Sequence, residues 1–218
     1  MGVPHYPSRI THFGVEALLP SDFCLLPSAF RVRGRSPFTD LSAHGIGAIL
    51  PAMFYLDLFR ALQEEGVKYV VVDGLAINLH GVERATMDVD LVLAMDEANL
   101  RRFLGAARKL DLEPALPVSL EALCDAKQLD TWAKEKHLIA FSLQAASPVL
   151  PTVDIIVRPA VPFATMYRNR IEKDIAGVRF HLASIEDLIA LKTGTGRKQD
   201  ASDIEALRIV ARVTRKDG

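Results

Sequence analysis

The chain has 218 residues, 50% of them hydrophobic and 24% charged, with a formal net charge of −1. That length suffices for one well-packed domain with or without an appendage, and the near-neutral balance excludes a broadly basic nucleic-acid-binding surface while leaving local patches open. The two cysteines, Cys24 and Cys124, lie far apart, which excludes a disulfide framework and fits a reducing cytoplasm. No apolar run is long enough to span a membrane, and the N-terminus does not read as a signal peptide.

Residues 1–52 carry scattered prolines (Pro4, Pro7, Pro20, Pro27, Pro37) and no sustained period of 3.6 or 2. They read as a disordered or loosely packed extension, suspected to lie outside the natural product, with the domain occupying 53–218. An amphipathic helix is expected over 54–65, stopped by Gly66, and a buried strand over 69–72. A turn at Asp73-Gly74 leads to a short helix over 75–80. A strand follows over 86–93, then a helix capped by Asp96 and running to Leu110, with Leu100, Phe103, Leu104 and Ala107 on one face. A short helix is expected from Ser119 to about Ala126. Strands over 137–143 and 152–157 are expected to pair through a turn near Ser147-Pro148. A helix over 162–170, a strand over 178–182 and a helix capped by Ser184 come next. Gly194-Thr195-Gly196 breaks that helix, and a last one begins at Asp200 or Ser202 and ends near Val213. The sum is a mixed sheet flanked by helices, an α/β (α+β) domain with a helical C-terminal tail.

Three carboxylates stand out. Asp88 and Asp90 lie in Thr86-Met-Asp-Val-Asp-Leu-Val-Leu93, and Asp154 lies in Thr152-Val-Asp-Ile-Ile-Val157. Alternation along a strand puts Asp88 and Asp90 on one face, roughly 6.5–7 Å apart, and a neighbouring strand about 4.8 Å away brings Asp154 to join them. Such a cluster is costly without a cation. Oxygen ligands with no Cys/His cluster point to magnesium or manganese. Upstream, Asp73-Gly74 sits between a strand and a helix N-terminus, where backbone N–H groups make an anion site and glycine permits close approach. Arg84 and the Thr86 hydroxyl are candidate phosphate donors.

The ordered set Gly74-Leu-Ala-Ile-Asn-Leu-His-Gly81, Arg84-Ala-Thr-Met-Asp-Val-Asp90 and Val153-Asp154 resembles the DNA-polymerase-β-type nucleotidyltransferase superfamily. It is especially similar to the minimal nucleotidyltransferase-like and abortive-infection toxin-like bacterial proteins. The segments 184–192 and 197–204 resemble the helical tail of such proteins, so the likeness spans about residues 53–213. The resemblance implies a nucleotidyltransferase fold. It implies that Asp88 and Asp90 bind the magnesium of a nucleoside triphosphate, that Asp154 holds a second metal or acts as base, that Gly74 and its neighbours cradle the phosphates, and that Lys192 neutralises them. The acceptor is open between a small molecule, a protein hydroxyl and a tRNA end, and a toxin would bring an antitoxin protein as partner. Family members open the turn with Gly-Gly or Gly-Ser, whereas this chain has Asp73. A carboxylate beside a triphosphate is electrostatically unfavourable, so a catalytically silent nucleotide-binding or interaction module is the rival reading.

Each residue also has a plainer role. Asp88 and Asp90 serve as strand-end turn residues, Asp154 as an exposed strand acid, Arg84 as a solvated loop residue and Thr86 as a backbone partner. Lys192 suits a helix C-terminus. His80 is expected to be structural. Asp200 and Asp203 are expected to be a helix cap and an exposed first-turn acid, and Trp132 a packing residue. Arg101, Arg102, Lys109, Arg168, Arg170 and Lys173 are the candidates for a basic groove.

Overall fold

A computed structural model describes residues 43–135 and 138–214, with side chains from Met53 onward. Most of the expected N-terminal extension, and His137 at the head of an expected strand, lie outside the described residues. Helix α1 spans Ala43–Glu64, β1 Tyr69–Val72, α2 Asp73–Leu79, β2 Val89–Leu93 and α3 Glu97–Lys109. There follow β3 Glu113–Pro114, a 3-10 turn at Leu120–Cys124, α4 Ala126–Glu135, β4 Ala140–Gln144 and β5 Val153–Ile156. The chain closes with α5 Phe163–Asn169, β6 Ile171–Ile175, β7 Val178–Leu182, α6 Ile185–Lys192 and α7 Lys198–Thr214. The fold is the mixed α/β arrangement expected, with one seven-stranded sheet in the order β3-β4-β5-β2-β1-β7-β6.

The register of the middle strands positions everything else. β2 pairs antiparallel with β1 and parallel with β5, and β5 pairs antiparallel with β4. Val89, Leu91 and Leu93 of β2, Val153 and Ile155 of β5, and Phe141 and Leu143 of β4 are all buried, at 1% exposure or less. Alternation then sends Asp90 and Val92, Asp154 and Ile156, and Ala140 to the opposite face. Packing of α1 adds the stacked rings of Phe59 and Phe180, with centroids 4.8 Å apart, and of Phe59 and Tyr69, 6.1 Å apart.

Several elements differ from the sequence reading, each for a local reason. α1 begins at Ala43 instead of Phe54; Gly45, Gly47 and Pro51 weaken helical propensity and hid its first turns. The strand expected from Thr86 begins at Val89. α4 carries the expected packing residue Trp132 and was not anticipated. It starts where Asp125 Oδ1 accepts from the backbone N–H groups of Lys127 and Gln128, both at 3.0 Å. β6 escaped notice because Glu172, Lys173 and Asp174 leave no apolar alternation. As an edge strand, exposed along most of its length, it has no face to bury, and its charges discourage further pairing. β3 is a two-residue edge strand.

The expected caps of α3 and α6 form, whereas α7 begins at Lys198, ahead of the expected Asp200 or Ser202. Asp96 accepts from Asn99 N at 2.9 Å, and Ser184 Oγ from Asp187 N at 3.1 Å. His80 Nε2 lies 2.8 Å from the carbonyl oxygen of Ala183, tying α2 to the β7–α6 junction in the structural role expected. No helix among the described residues is long and apolar enough to cross a membrane.

Asn99 fastens α3 to the sheet from a nearly buried position. Its Oδ1 accepts from Lys68 N at 2.7 Å, and its Nδ2 donates to the carbonyls of Lys68 and Ala94, both at 2.9 Å. Asn99→Ala strands backbone groups at the rims of β1 and β2. The expected cost is about 2–3 kcal/mol in urea unfolding; a loss below about 0.5 kcal/mol would show that water satisfies those groups instead.

Candidate active site

Asp90 and Asp154 stand directly opposite each other across the parallel β2–β5 pair, on the open face of the sheet. Both line a cleft of about 540 Å³, within the size range of small-molecule sites. Its floor is the sheet face, with Val72, Asp90, Val92 and Asp154. One wall carries Ile139, Ile156, Pro159 and Ala160 together with Arg158. The other is α6, through Leu188, Leu191 and Lys192, continued by Thr195 and Arg197.

The carboxylates are poorly compensated. Asp154 Oδ1 is buried with no hydrogen-bond partner among the described residues. Burial first, then the charge of Asp88, raises the Asp154 carboxyl, against a hydrogen bond from Ser142. Asp90 is pushed up to about 7 by burial and by the charges of Asp73, Asp154 and Asp88, with Arg84 pulling the other way. Asp88 behaves differently. It precedes β2, so strand alternation does not aim its side chain. It is exposed, accepts from Thr152 Oγ1 at 2.8 Å, and does not line the cleft. Among the described residues, no group of three or more His, Cys, Asp or Glu side chains stands close enough together to hold a metal ion.

The first turn of α2, which begins at Asp73 rather than at Leu75, is built unlike an open phosphate cradle. Gly74 is buried, and a Cβ there would collide with Arg84 Nη1 and with the Thr86 side chain. Glycine is therefore required by the chain's own loop, which folds back over the helix N-terminus. Thr86 Oγ1 lies 3.5 Å from the Asp88 carbonyl, too long for a strong bond. Gly74, Arg84 and Thr86 do not line the cleft; Arg84 faces a second, smaller cavity of about 350 Å³ against α7. Of the four expected phosphate-binding residues, Lys192 alone reaches the cleft.

Lys192 is also the centre of a feature that sequence reasoning missed. Its side chain is 4% exposed, and its ammonium contacts Asp73 at 2.7 Å and Asp200 and Asp203 at 2.9 Å each. Burial works to lower the ammonium, and hydrogen bonds with Asp73, Asp203 and Asp200 outweigh it and hold it above its usual range. Arg84 adds contacts of 3.1 Å to Asp73 and 3.3 Å to Asp203. Asp200 and Asp203 are thus not a cap and an exposed acid; they are 2% and 3% exposed and face Lys192. Asp200 stays ionised, its carboxyl at about 2; burial opposes this, and hydrogen bonds from Thr195, Lys192 and Arg197 prevail. The available signal was the i, i+3 spacing of two acids on one helix just after a lysine at a helix end. Asp73 holds its place at φ +50°, a left-handed conformation that costs a non-glycine residue energy.

The candidate basic residues disperse. Arg101 pairs with Glu97, Lys109 with Glu64 and Glu65, and Arg170 with Glu172, and none of the six lines the cleft.

A pH signature follows from Asp90. Its folded value lies above the unfolded one, so its contribution to stability is complete below about pH 4 and is lost as pH rises through about 7. His80 and His181, both lowered chiefly by burial, act in the opposite sense as pH falls, so the informative quantity is the difference between two proteins. In chelator, Asp90→Asn should melt above the wild type at about pH 8, and the gap should close toward about pH 5. A gap independent of pH in thermal melts would exclude Asp90 as the titrating group.

No curated protein matches the chain. Among solved structures, an antigenic nucleotidyltransferase-like protein from Paracoccidioides brasiliensis aligns at 20% identity over 79% of this chain and 78% of that one, with a TM-score of 0.45. The lincosamide antibiotic adenylyltransferase LnuA, bound to lincomycin, aligns at 15% identity over 73% and 96%, with a TM-score of 0.44. ANT(2")-Ia in complex with adenylyl-2"-tobramycin aligns at 12% identity over 76% and 97%, also at 0.44. The family model described as "Nucleotidyltransferase of unknown function (DUF6036)" matches residues 56–215, and the chain belongs to that nucleotidyltransferase family.

Proposed function

We propose that the chain is a magnesium- or manganese-dependent nucleotidyltransferase that moves a nucleoside monophosphate from a nucleoside triphosphate to a hydroxyl acceptor. The carrying observation is the opposed pair Asp90 and Asp154 at the floor of the cleft, Asp154 with an unpartnered buried oxygen and Asp90 raised to about 7 by burial first and then by the neighbouring negative charges. That is the condition a hard cation relieves, and the all-oxygen donor set fits magnesium or manganese. Asp90 and Asp154 would hold the metal, with Asp88 joining after releasing Thr152. Bound there, the metal supplies positive charge to the attacking and leaving oxygens. In the alternative role, Asp154 would take the proton of the acceptor hydroxyl, a role its unpartnered oxygen supports. Lys192 would meet the phosphates from α6, with Gly74, Arg84 and Thr86 supporting the first turn of α2.

Ile139, Ile156, Pro159 and Ala160 give the cleft apolar surface suited to a small-molecule acceptor. A protein hydroxyl or a tRNA end, the latter accompanied by an antitoxin partner, are the other acceptors to be distinguished. One observation favours a silent binding module instead: Asp73 already occupies Lys192, the lysine that would meet a triphosphate.

Incubation with each α-labelled nucleoside triphosphate, magnesium and cell extract should label an acceptor, and Asp88→Ala with Asp90→Ala should abolish both transfer and magnesium-dependent nucleotide binding while the domain stays folded. Unchanged nucleotide binding by calorimetry in the double variant would overturn the metal assignment, and absence of label would support the silent module. Asp73→Gly should tighten triphosphate binding about tenfold, because it releases Lys192 and Arg84 from one carboxylate and relieves the left-handed backbone. Equal or weaker affinity would show that Asp73 does not compete with the nucleotide.

A further inference from the structure

The cleft has three cations at its surface, Arg158, Lys192 and Arg197. Their engagements differ. Lys192 is buried and shared among three carboxylates. Arg158 is half-exposed, with its guanidinium paired to Asp130 of α4. The Arg197 side chain is 65% exposed and is held only at Nε, which donates to Asp200 Oδ2 at 2.6 Å. Its two terminal nitrogens donate no hydrogen bond among the described residues.

We propose that Arg197 is the side chain that takes the anionic phosphates of the substrate, using the paired terminal N–H groups that its anchor leaves unengaged. The proposal rests on the nucleotide reading of the cleft. The fork of a guanidinium matches two phosphate oxygens at once, and fixing Nε in advance removes much of the freedom that binding would otherwise have to freeze. The anchor is itself well fixed. Asp200 is 2% exposed and bonded to Lys192 at 2.9 Å and to Thr195 Oγ1 at 2.5 Å. The α6–α7 connection that carries Arg197 turns at Gly194 and Gly196, with φ of +82° and +74°, and a Cβ at either would meet nothing within 4 Å. Arg197 and Lys192 share Asp200, at 2.6 and 2.9 Å, which sets the two cations side by side. An entering triphosphate would then meet Arg197 before it competes with Asp73 for Lys192.

Calorimetric titration of wild type, Arg197→Ala and Arg197→Lys with magnesium-ATP, inorganic tripolyphosphate and adenosine tests this directly, alongside thermal melts of each protein. Arg197→Ala is expected to weaken ATP and tripolyphosphate binding about tenfold or more, to leave adenosine binding unchanged, and to be partly rescued by lysine. Wild-type affinity for tripolyphosphate in Arg197→Ala would overturn the proposal while leaving the nucleotide reading standing. Equal weakening of adenosine and tripolyphosphate would overturn it in favour of a structural role. Failure of the wild type to bind tripolyphosphate or any of the four magnesium-nucleoside triphosphates, titrated in the same way, would overturn the nucleotide reading and, with it, this inference.

Discussion

The structure depends first on the register of β1, β2 and β5. With Val72 opposite Asp90, and Asp90 opposite Asp154, the residues between them turn inward as a continuous apolar face. A slip of one residue would drive two carboxylates into that core and expose Val89, Leu91, Val153 and Ile155. The hydrophobic face therefore enforces the alignment of the acids. Core packing and site geometry are the same constraint seen from two sides of one sheet, and neither can drift without the other.

A second constraint joins the sheet to the C-terminal helices. Lys192, Arg84 and Arg197 meet Asp73, Asp200 and Asp203 where α2, α6 and α7 converge. Desolvating such a group is expensive, and its attraction offsets the cost only when each charge keeps its partners. Losing one member therefore leaves a buried charge uncompensated. The cluster fixes the α6 wall against the floor and determines which positive charge reaches the cleft. Asp73 links this cluster to the acid pair: its carboxylate lies on Lys192 and also raises Asp90. A single residue in a left-handed conformation thus couples the cation side of the cleft to its anion side.

The first helix after Asp96, the strands β1 and β7, and the pairing of β4 with β5 were legible because each rests on local periodicity or a cap. Asp90 and Asp154 were legible for a related reason: an acid amid β-branched and aliphatic residues is conspicuous in any strand. β6 and α4 were less visible, one because an exposed edge strand buries no face, the other because its cap lay close behind a 3-10 turn. Asp88 illustrates the limit of strand geometry. It lies two residues from Asp90, but the ladder starts between them, and Thr152 rather than alternation sets where its carboxylate points.

Sequence by itself determined the fold class, the order of the motifs and the two acids that share the open face, because strand alternation and apolar patterning act over a few residues. It also marked Asp73 as a departure from the turn that the resemblance implies. Only the tertiary structure decided what Asp73 does. Lys192 and Arg84 are distant from it along the chain or across a loop, and a carboxylate that looks like an obstacle in sequence is, in space, the counter-ion of a buried lysine. The same holds for Asp200 and Asp203, whose burial depends on α6 and α7 folding against α2. Long-range charge pairing leaves no periodic trace in a sequence, since it depends on which elements meet and not on how any one of them is patterned.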